Sequence, residues 1–509
     1  TLFRSKKAEK EKRLQEENTR NASQKARKDI ENSIAEGKKL LEQGNVDGAI
    51  KAFEKAESLL PEDDKLYSGE KLGEIANALY EASEKSSGEQ KKQLEKLSGE
   101  KALAAIARNP GDPNALFVAG MDAITKRNLS GAEEYLMNAI AKNPTNYMYY
   151  YQLGRVLAMQ KKYDKSLNAF QSCVKLNDRF APAYYNSGYV SEQSGKKQDA
   201  LSYYRKATEV NPSHENAHIG QGHIFMEMKK YDEAMKAFTK AQGINPNRSQ
   251  IYQELGSCCV EQKKYAEAEN YFKKALTCPD VSKEKNALTY YNLATVMYEQ
   301  NKKTEALDYA KKAYDSKDRT EKSVKSNIVY VYGLVVQDGG RDDEAIKIYN
   351  EGLLIDSSHV KTNTNLGVLY LKKNRAPEAV VVLTNAYNAE SGNFEVNNNL
   401  GSAYRQIKDF KKSAEHYKKA LAVNPKDMTV KQNLARSYAS AEDFKNAKIV
   451  YQDLIKTEPS KWDHWLELAR VCISQDDKTT AAACLDHLKK NAPSFHSDEV
   501  NAMMTELGF

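Results

Sequence analysis

The sequence predicts an all-α fold, a solenoid of stacked antiparallel helix pairs, and three observations carry that expectation. First, a Gly is followed by Ala twelve residues later, an aromatic four further on, a small residue three beyond that and often Pro after another five, as in Gly188, Ala200, Tyr204, Ala207 and Pro212. The set returns as Gly222, Ala234, Phe238, Ala241 and Pro246, and in part from Gly256 and from Gly120. Second, the residue types suit a helix pair. Small residues let two helices approach closely, and Pro ends the second helix because it lacks an N–H and restricts the residue before it. Third, with 29% charged and 40% apolar residues, and 25 Gly and 12 Pro in 509, the chain is neither disordered nor collagen-like. No apolar run reaches the length of a transmembrane helix.

Residues 1–29 are nearly all polar and form a charged basic arm or helix, in which Ala22, Ala26, Ile30 and Ile34 make a stripe that turns apolar only where the arm joins the body. With the recurring Gly as the eighth residue of a unit, a first unit starts near residue 30, carrying Gly37, Ala49, Phe53, Ala56 and Pro61. The register then blurs, although Leu72 to Ala82 and Leu94 to Ala107 read as an amphipathic helix pair, so 30–112 is a unit plus a degenerate pair. Units begin at 113, 147, 181, 215 and 249, an N-terminal arc over 113–282. Segment 283–325 is an irregular repeat with insertions near Lys283–Asn286 and near Glu321–Lys325, expected to alter the local twist. Units from 326, 360, 394, 428 and 462 make a C-terminal arc over 326–495. The tail 496–509 reads as a capping helix, with Ser497 before Asp498 and Glu499 as its N-cap. A single pair cannot bury its own apolar face, so the units must stack.

This spacing resembles the tetratricopeptide repeat (TPR), a 34-residue helix–turn–helix unit, over about residues 30–495. The resemblance implies a right-handed superhelix of about 12–13 repeats, with position 24 aromatics filling the seams and the first helix of each unit lining a concave face. It also implies a non-catalytic protein–protein interaction scaffold that binds a partner segment or self-associates. The alternatives are an accessory subunit of an enzyme or membrane transport system, or a small-molecule-binding solenoid.

Chemistry is sparse. No nucleophile elbow, phosphate loop or metalloprotease helix occurs, and Gly220-x-Gly222 lacks a third glycine. His214 and His218 have the spacing of a metal pair, but at positions better suited to packed or surface imidazoles. Cys173, Cys259 and Cys472 fall at seam positions and read as buried thiols. No enzyme, cofactor or metal is expected. Residues 1–29 hold 10 Lys/Arg and 5 Asp/Glu, while the other 480 residues hold 67 and 65, a balance that argues against nucleic-acid binding. Because Thr1 is not Met, a segment upstream is expected to have been removed. Membrane association would run only through it, leaving the chain cytoplasmic, or periplasmic or tethered if that segment was a signal or anchor.

The surface offers the remaining candidates. Asn365, Asn399 and Asn433 share position 6 of successive units and are expected to form an amide ladder that reads the backbone of an extended peptide. A similar ladder occurs in the repeat arm of the transferase that adds N-acetylglucosamine to proteins. Arg405, Arg436 and Arg470 stand near it and would meet carboxylates. Tyr151, Tyr185, Tyr189 and Tyr291 present rings inward. The family's clamp for chaperone tails needs Asn at position 9, and no clear unit has it; Arg155, Tyr189, His223 and Ser402 are among the occupants.

Overall fold

The eighth and twenty-fourth residues of a unit meet at the crossing of its two helices. In the computed structural model, which describes residues 2–280 and 286–508, Gly154, Gly188, Gly222, Gly256, Gly333 and Gly401 lie against the rings of Phe170, Tyr204, Phe238, Phe272, Tyr349 and Tyr417. A Cβ at any of these glycines would stand 2.4–2.7 Å from a ring carbon, closer than any real side chain is found. The missing methyl group is the space that the ring fills. Those rings are almost wholly buried, so each crossing is a small sealed core.

Among the described residues there are 27 α-helices, one 3-10 turn and no strand. A typical unit has a first helix of 13 residues, such as Tyr147–Met159, and a second of 14, such as Tyr163–Leu176. The turn between them is the same throughout. Residue 15 takes the left-handed conformation in all twelve clear units, with φ between 57° and 77°, from Gly44 through Arg127, Lys161 and Gly195 to Asp476. The next N–H then reaches back five residues, as from Lys162 to the Leu157 carbonyl at 2.9 Å, and closes the first helix. Asp or Asn side chains such as Asn128, Asp409, Asp443 and Asp477 cap second helices by accepting a backbone N–H.

Departures from the 34-residue stride have simple causes. The degenerate pair consists of two 21-residue helices, Lys65–Lys85 and Gly88–Arg108, each about two turns longer than its counterparts. Of the first insertion, Lys283–Lys285 lie outside the described residues. The second is absorbed by the 3-10 turn Lys317–Arg319 and by a lengthened helix, Lys322–Asp338. The arm is not a separate element, because one helix runs unbroken from Leu2 to Glu42. Its Ala22 is exposed and Ala26 half-buried, whereas Ile30 and Ile34 pack against Val46, Phe53 and Leu79. Arg27 anchors it to the body through Asp64 at 2.7 Å and the Tyr67 ring at 4.6 Å.

The chain divides into two compact units, 1–246 and 247–509, each a run of helix pairs packed on the next pair. The second ends in the helix Ser497–Leu507, whose Val500 joins a core with Leu485 and Leu488. Ser497 is the first residue of that helix and not its cap. His496 precedes it in the left-handed conformation, with its imidazole 3.3 Å from Glu499. All six cysteines are free and buried, and burial pushes the Cys173, Cys258 and Cys484 thiols up to about 12. They are therefore inert, protonated core residues. No described helix is long and apolar enough to cross a membrane.

Two glycines of one helix pair test the crossing. Gly222→Ala forces a methyl group into Phe238 and is expected to cost about 1–3 kcal/mol, whereas Gly243→Ala enters open space on the second helix and should stabilise by about 0.5–1 kcal/mol. Chemical denaturation of both variants should show the opposite signs.

A pH dependence follows from two histidine caps. The His214 Nδ1 accepts the Ala217 N–H at 3.2 Å, and the His359 Nδ1 accepts the Thr362 N–H at 3.3 Å, while its Nε2 faces the Asn327 Oδ1 at 3.2 Å. Both roles require neutral imidazole. Burial lowers the pKa of His214 and His359, and of the buried His416 and His464, below the ordinary 6.5. The unfolded chain therefore takes up protons first. Stability is complete above about pH 6.5 and declines as pH falls towards the folded-state values. Melting temperature should drop between pH 7 and pH 5, and His214→Asn with His359→Asn, which retains a capping side chain, should shallow that drop.

Candidate functional site

In the 247–509 unit the candidates lie on the face built by the first helices, here Val360–Lys372, Phe394–Gln406, Met428–Ser440 and Trp462–Ser474. Equivalent places in the sequence do not give equivalent amides. The Asn365 Nδ2 donates to the Tyr349 hydroxyl at 3.3 Å, and that hydroxyl donates to the Gln337 Oε1 at 2.8 Å, so Asn365 belongs to an internal chain of hydrogen bonds. Asn399 and Asn433 are half-buried, and their amide groups have no hydrogen-bond partner among the described residues. The residue that corresponds to Tyr349 one unit later is Leu383, which has no hydroxyl to offer Asn399.

The arginines divide in the same way. The Arg470 Nη1 donates to Glu467 at 2.9 Å and its Nε to Glu499 at 3.0 Å, with Nη2 also on Glu499. Arg470 fastens the C-terminal helix to the last pair and is not open to a partner. Its two carboxylates raise its pKa above the ordinary value, overcoming the burial that works against the charge. Arg405 and Arg436 make no ion pair among the described residues. Arg436 is turned towards the buried Tyr451 hydroxyl, with which it interacts, and has no carboxylate of its own. Tyr291 is half-buried, packed into a seam with Ala287, Ala313 and Ile328.

In the 1–246 unit two of the three candidate rings are engaged. Tyr151 stands edge-on to Phe180 at 4.9 Å, and its hydroxyl accepts the Asn186 Nδ2 at 3.1 Å. Tyr185 packs on His214 at 5.0 Å. Tyr189 alone is exposed, beside Arg155 and Met159 in a cleft of about 210 Å³. Met159 was missed by spacing alone, since a methionine at position 13 carries no signal of its own. His214 and His218 are spent on the helix cap and on the Pro212 carbonyl at 2.9 Å. A larger cleft of about 620 Å³ lies beside the elongated helix Lys65–Lys85, and Lys38 and Glu74 pair within it. Burial there opposes the Glu74 charge, yet hydrogen bonds from Lys38 at 2.7 Å and Lys71 at 3.2 Å hold its carboxyl below the ordinary value.

Models of the tetratricopeptide repeat match residues 135–168, 185–249, 287–317, 394–427 and 433–494. The chain is a tetratricopeptide-repeat protein. A model described as regulator of microtubule dynamics protein 1-3 also matches this TPR chain, at residues 223–290. Solved structures similar to it include a tetratricopeptide repeat protein from Parabacteroides merdae (19% identity, TM-score 0.39, covering 50% of this chain and 98% of that one). Others are PilF of Pseudomonas aeruginosa (18%, 0.34, 39% and 88%) and MamA (23%, 0.32, 33% and 96%). No curated protein matches the sequence. TPR repeats in general build protein-interaction scaffolds, and that is the class in which this chain falls.

The two kinds of amide are separable by melting. Asn365→Ala should cost about 0.5–1.5 kcal/mol through the lost bond to Tyr349, and Asn399→Ala should stay within about 0.5 kcal/mol of the parent, both measured by thermal unfolding.

Proposed function

We propose that the protein is a scaffold that engages a segment of a partner protein along the first-helix face of residues 394–440. The observation behind this reading is that the Asn399 and Asn433 amides make no hydrogen bond and Arg405 and Arg436 no ion pair among the described residues, whereas Asn365 and Arg470 on either side are satisfied within the chain. An amide offers a donor and an acceptor at once, which suits the backbone of an extended segment regardless of its side chains. Each such contact contributes about 0.5–1.5 kcal/mol net. The two guanidinium groups add carboxylate recognition that weakens as salt screens it.

The test uses a photo-crosslinking amino acid placed at Ser402 on this face, or at the exposed Lys418 on the second helix as a control. Adducts with a protein partner are expected from position 402 and not from 418. The combined variant Asn399→Ala, Asn433→Ala, Arg405→Ala and Arg436→Ala should lower their yield at least tenfold with helical content unchanged. Equal yields from both positions, or a combined variant that cross-links like the parent, would refute the reading.

A further inference from the structure

We propose that the 1–246 unit carries a second binding site, a cleft that receives one large apolar side chain of a peptide while an adjacent acidic residue of that peptide pairs with Arg155. The cleft lies between the first helices Tyr147–Met159 and Ala181–Gln193, over the second helix Tyr163–Leu176. Phe170 forms its floor, and Ala158 and Val190 line its sides. Its rim is made by Met159 and Tyr189, which remain 49% and 45% exposed, so two large apolar side chains face water across one small opening. The volume, about 210 Å³, exceeds the roughly 150 Å³ of an apolar cavity that accepts benzene. A phenyl ring or a branched aliphatic side chain fits, and Met159 can adjust to either because its thioether is flexible and polarizable.

The polar groups specify the rest of the occupant. The Arg155 Nη1 donates to the Oε1 of Gln152 at 2.8 Å, and Gln152 is only 4% exposed, so the guanidinium is held from below. Its carbon also lies 5.9 Å from the Tyr151 ring. Arg155 makes no ion pair among the described residues, which leaves most of its five donors for a carboxylate. The carboxylate in the adjoining helix, Glu192, is taken by the Tyr204 hydroxyl at 2.5 Å and does not compete. Asn186 spends its Nδ2 on the Tyr151 hydroxyl, and its Oδ1 has no partner among the described residues, so it is an acceptor for a backbone N–H. An apolar anchor, a carboxylate and a peptide N–H are one chemistry, that of an acidic–apolar peptide. This site shares no residue with the face at 394–440, and neither proposal depends on the other.

The probe is a fluorescein-labelled hexapeptide with adjacent Asp and Phe, in either order, flanked by Gly and Ser, titrated with the full chain by fluorescence anisotropy. Saturable binding is expected, weakened at least about tenfold when the peptide's Phe becomes Ala and about three- to tenfold when its Asp becomes Asn. Tyr189→Ala and Met159→Gln should each weaken it severalfold, both being on the exposed rim. Arg155→Gln should bring the Asp peptide down to the level of the Asn peptide and abolish the salt dependence. Asn399→Ala with Asn433→Ala should leave the weakening caused by the peptide's Phe-to-Ala change as large as in the parent. The proposal is overturned if the Phe and Ala peptides bind alike, if no peptide binds at millimolar concentration, or if Tyr189→Ala binds like the parent. It is also overturned if sedimentation shows a parent dimer that Tyr189→Ala converts to monomer, since the occupant is then a second copy.

Discussion

The stacking of this chain depends on a small residue lying against a large side chain where two helices cross, most often a glycine backbone flat against an aromatic ring. At Gly222 and Phe238 the contact leaves no room for one methyl group, and the same holds at Gly188 and Tyr204 and at Gly401 and Tyr417. That contact fixes how far apart the two helices of a pair run and how they cross. It therefore fixes which residues of the first helix remain uncovered. The face proposed for binding is a by-product of the seam. The 287 unit shows how the rule bends, because Ala294 and Ala310 occupy the two places and exchange a glycine and a ring for two small side chains, both buried.

The turn is governed by a second constraint of the opposite kind. At Gly222 glycine is required by lack of space with ordinary backbone angles, whereas at Gly195, with φ of 74° and nothing within 4 Å, it serves the angle alone. Elsewhere the left-handed residue is Arg127, Lys161, Lys229 or Glu442. Such residues adopt that conformation at a cost of roughly 1–2 kcal/mol, which the closure of the first helix must offset. Long charged side chains suit the place because the turn points them into water.

Most of the architecture was legible in the sequence because the seam contact is written as residue types at fixed offsets. Gly37, Ala49, Phe53 and Pro61 identify the first pair as surely as their counterparts near residue 200. The left-handed turns were not legible, since Lys161 and Glu442 bear no turn signature and only their places in the helix pair demand the angle. Elongation of the helices Lys65–Lys85 and Gly88–Arg108 erased the register without erasing the amphipathic pattern, so the pair was visible and its length was not. On the face proposed for binding, spacing named the candidate side chains but could not rank them. Asn365 and Asn399 hold identical positions, and what separates them is a hydroxyl on Tyr349 where the next unit has Leu383. Arg470 likewise looks like Arg436 until Glu499 is brought to it by the final helix.

The bond between Asn365 and Tyr349 on one side and the Arg470–Glu499 clasp on the other bound the stretch proposed to hold a partner. Only two first helices lie between them, and neighbouring helices pack roughly 8–10 Å apart, so the open stretch measures about 20 Å. At roughly 3.3 Å per residue an extended chain crosses it in about six residues. A hexamer held by two amides and two cations is a low-affinity ligand taken alone. On the proposed reading, high occupancy would come from repetition, short copies of the motif in one partner raising the local concentration to what a single engagement lacks.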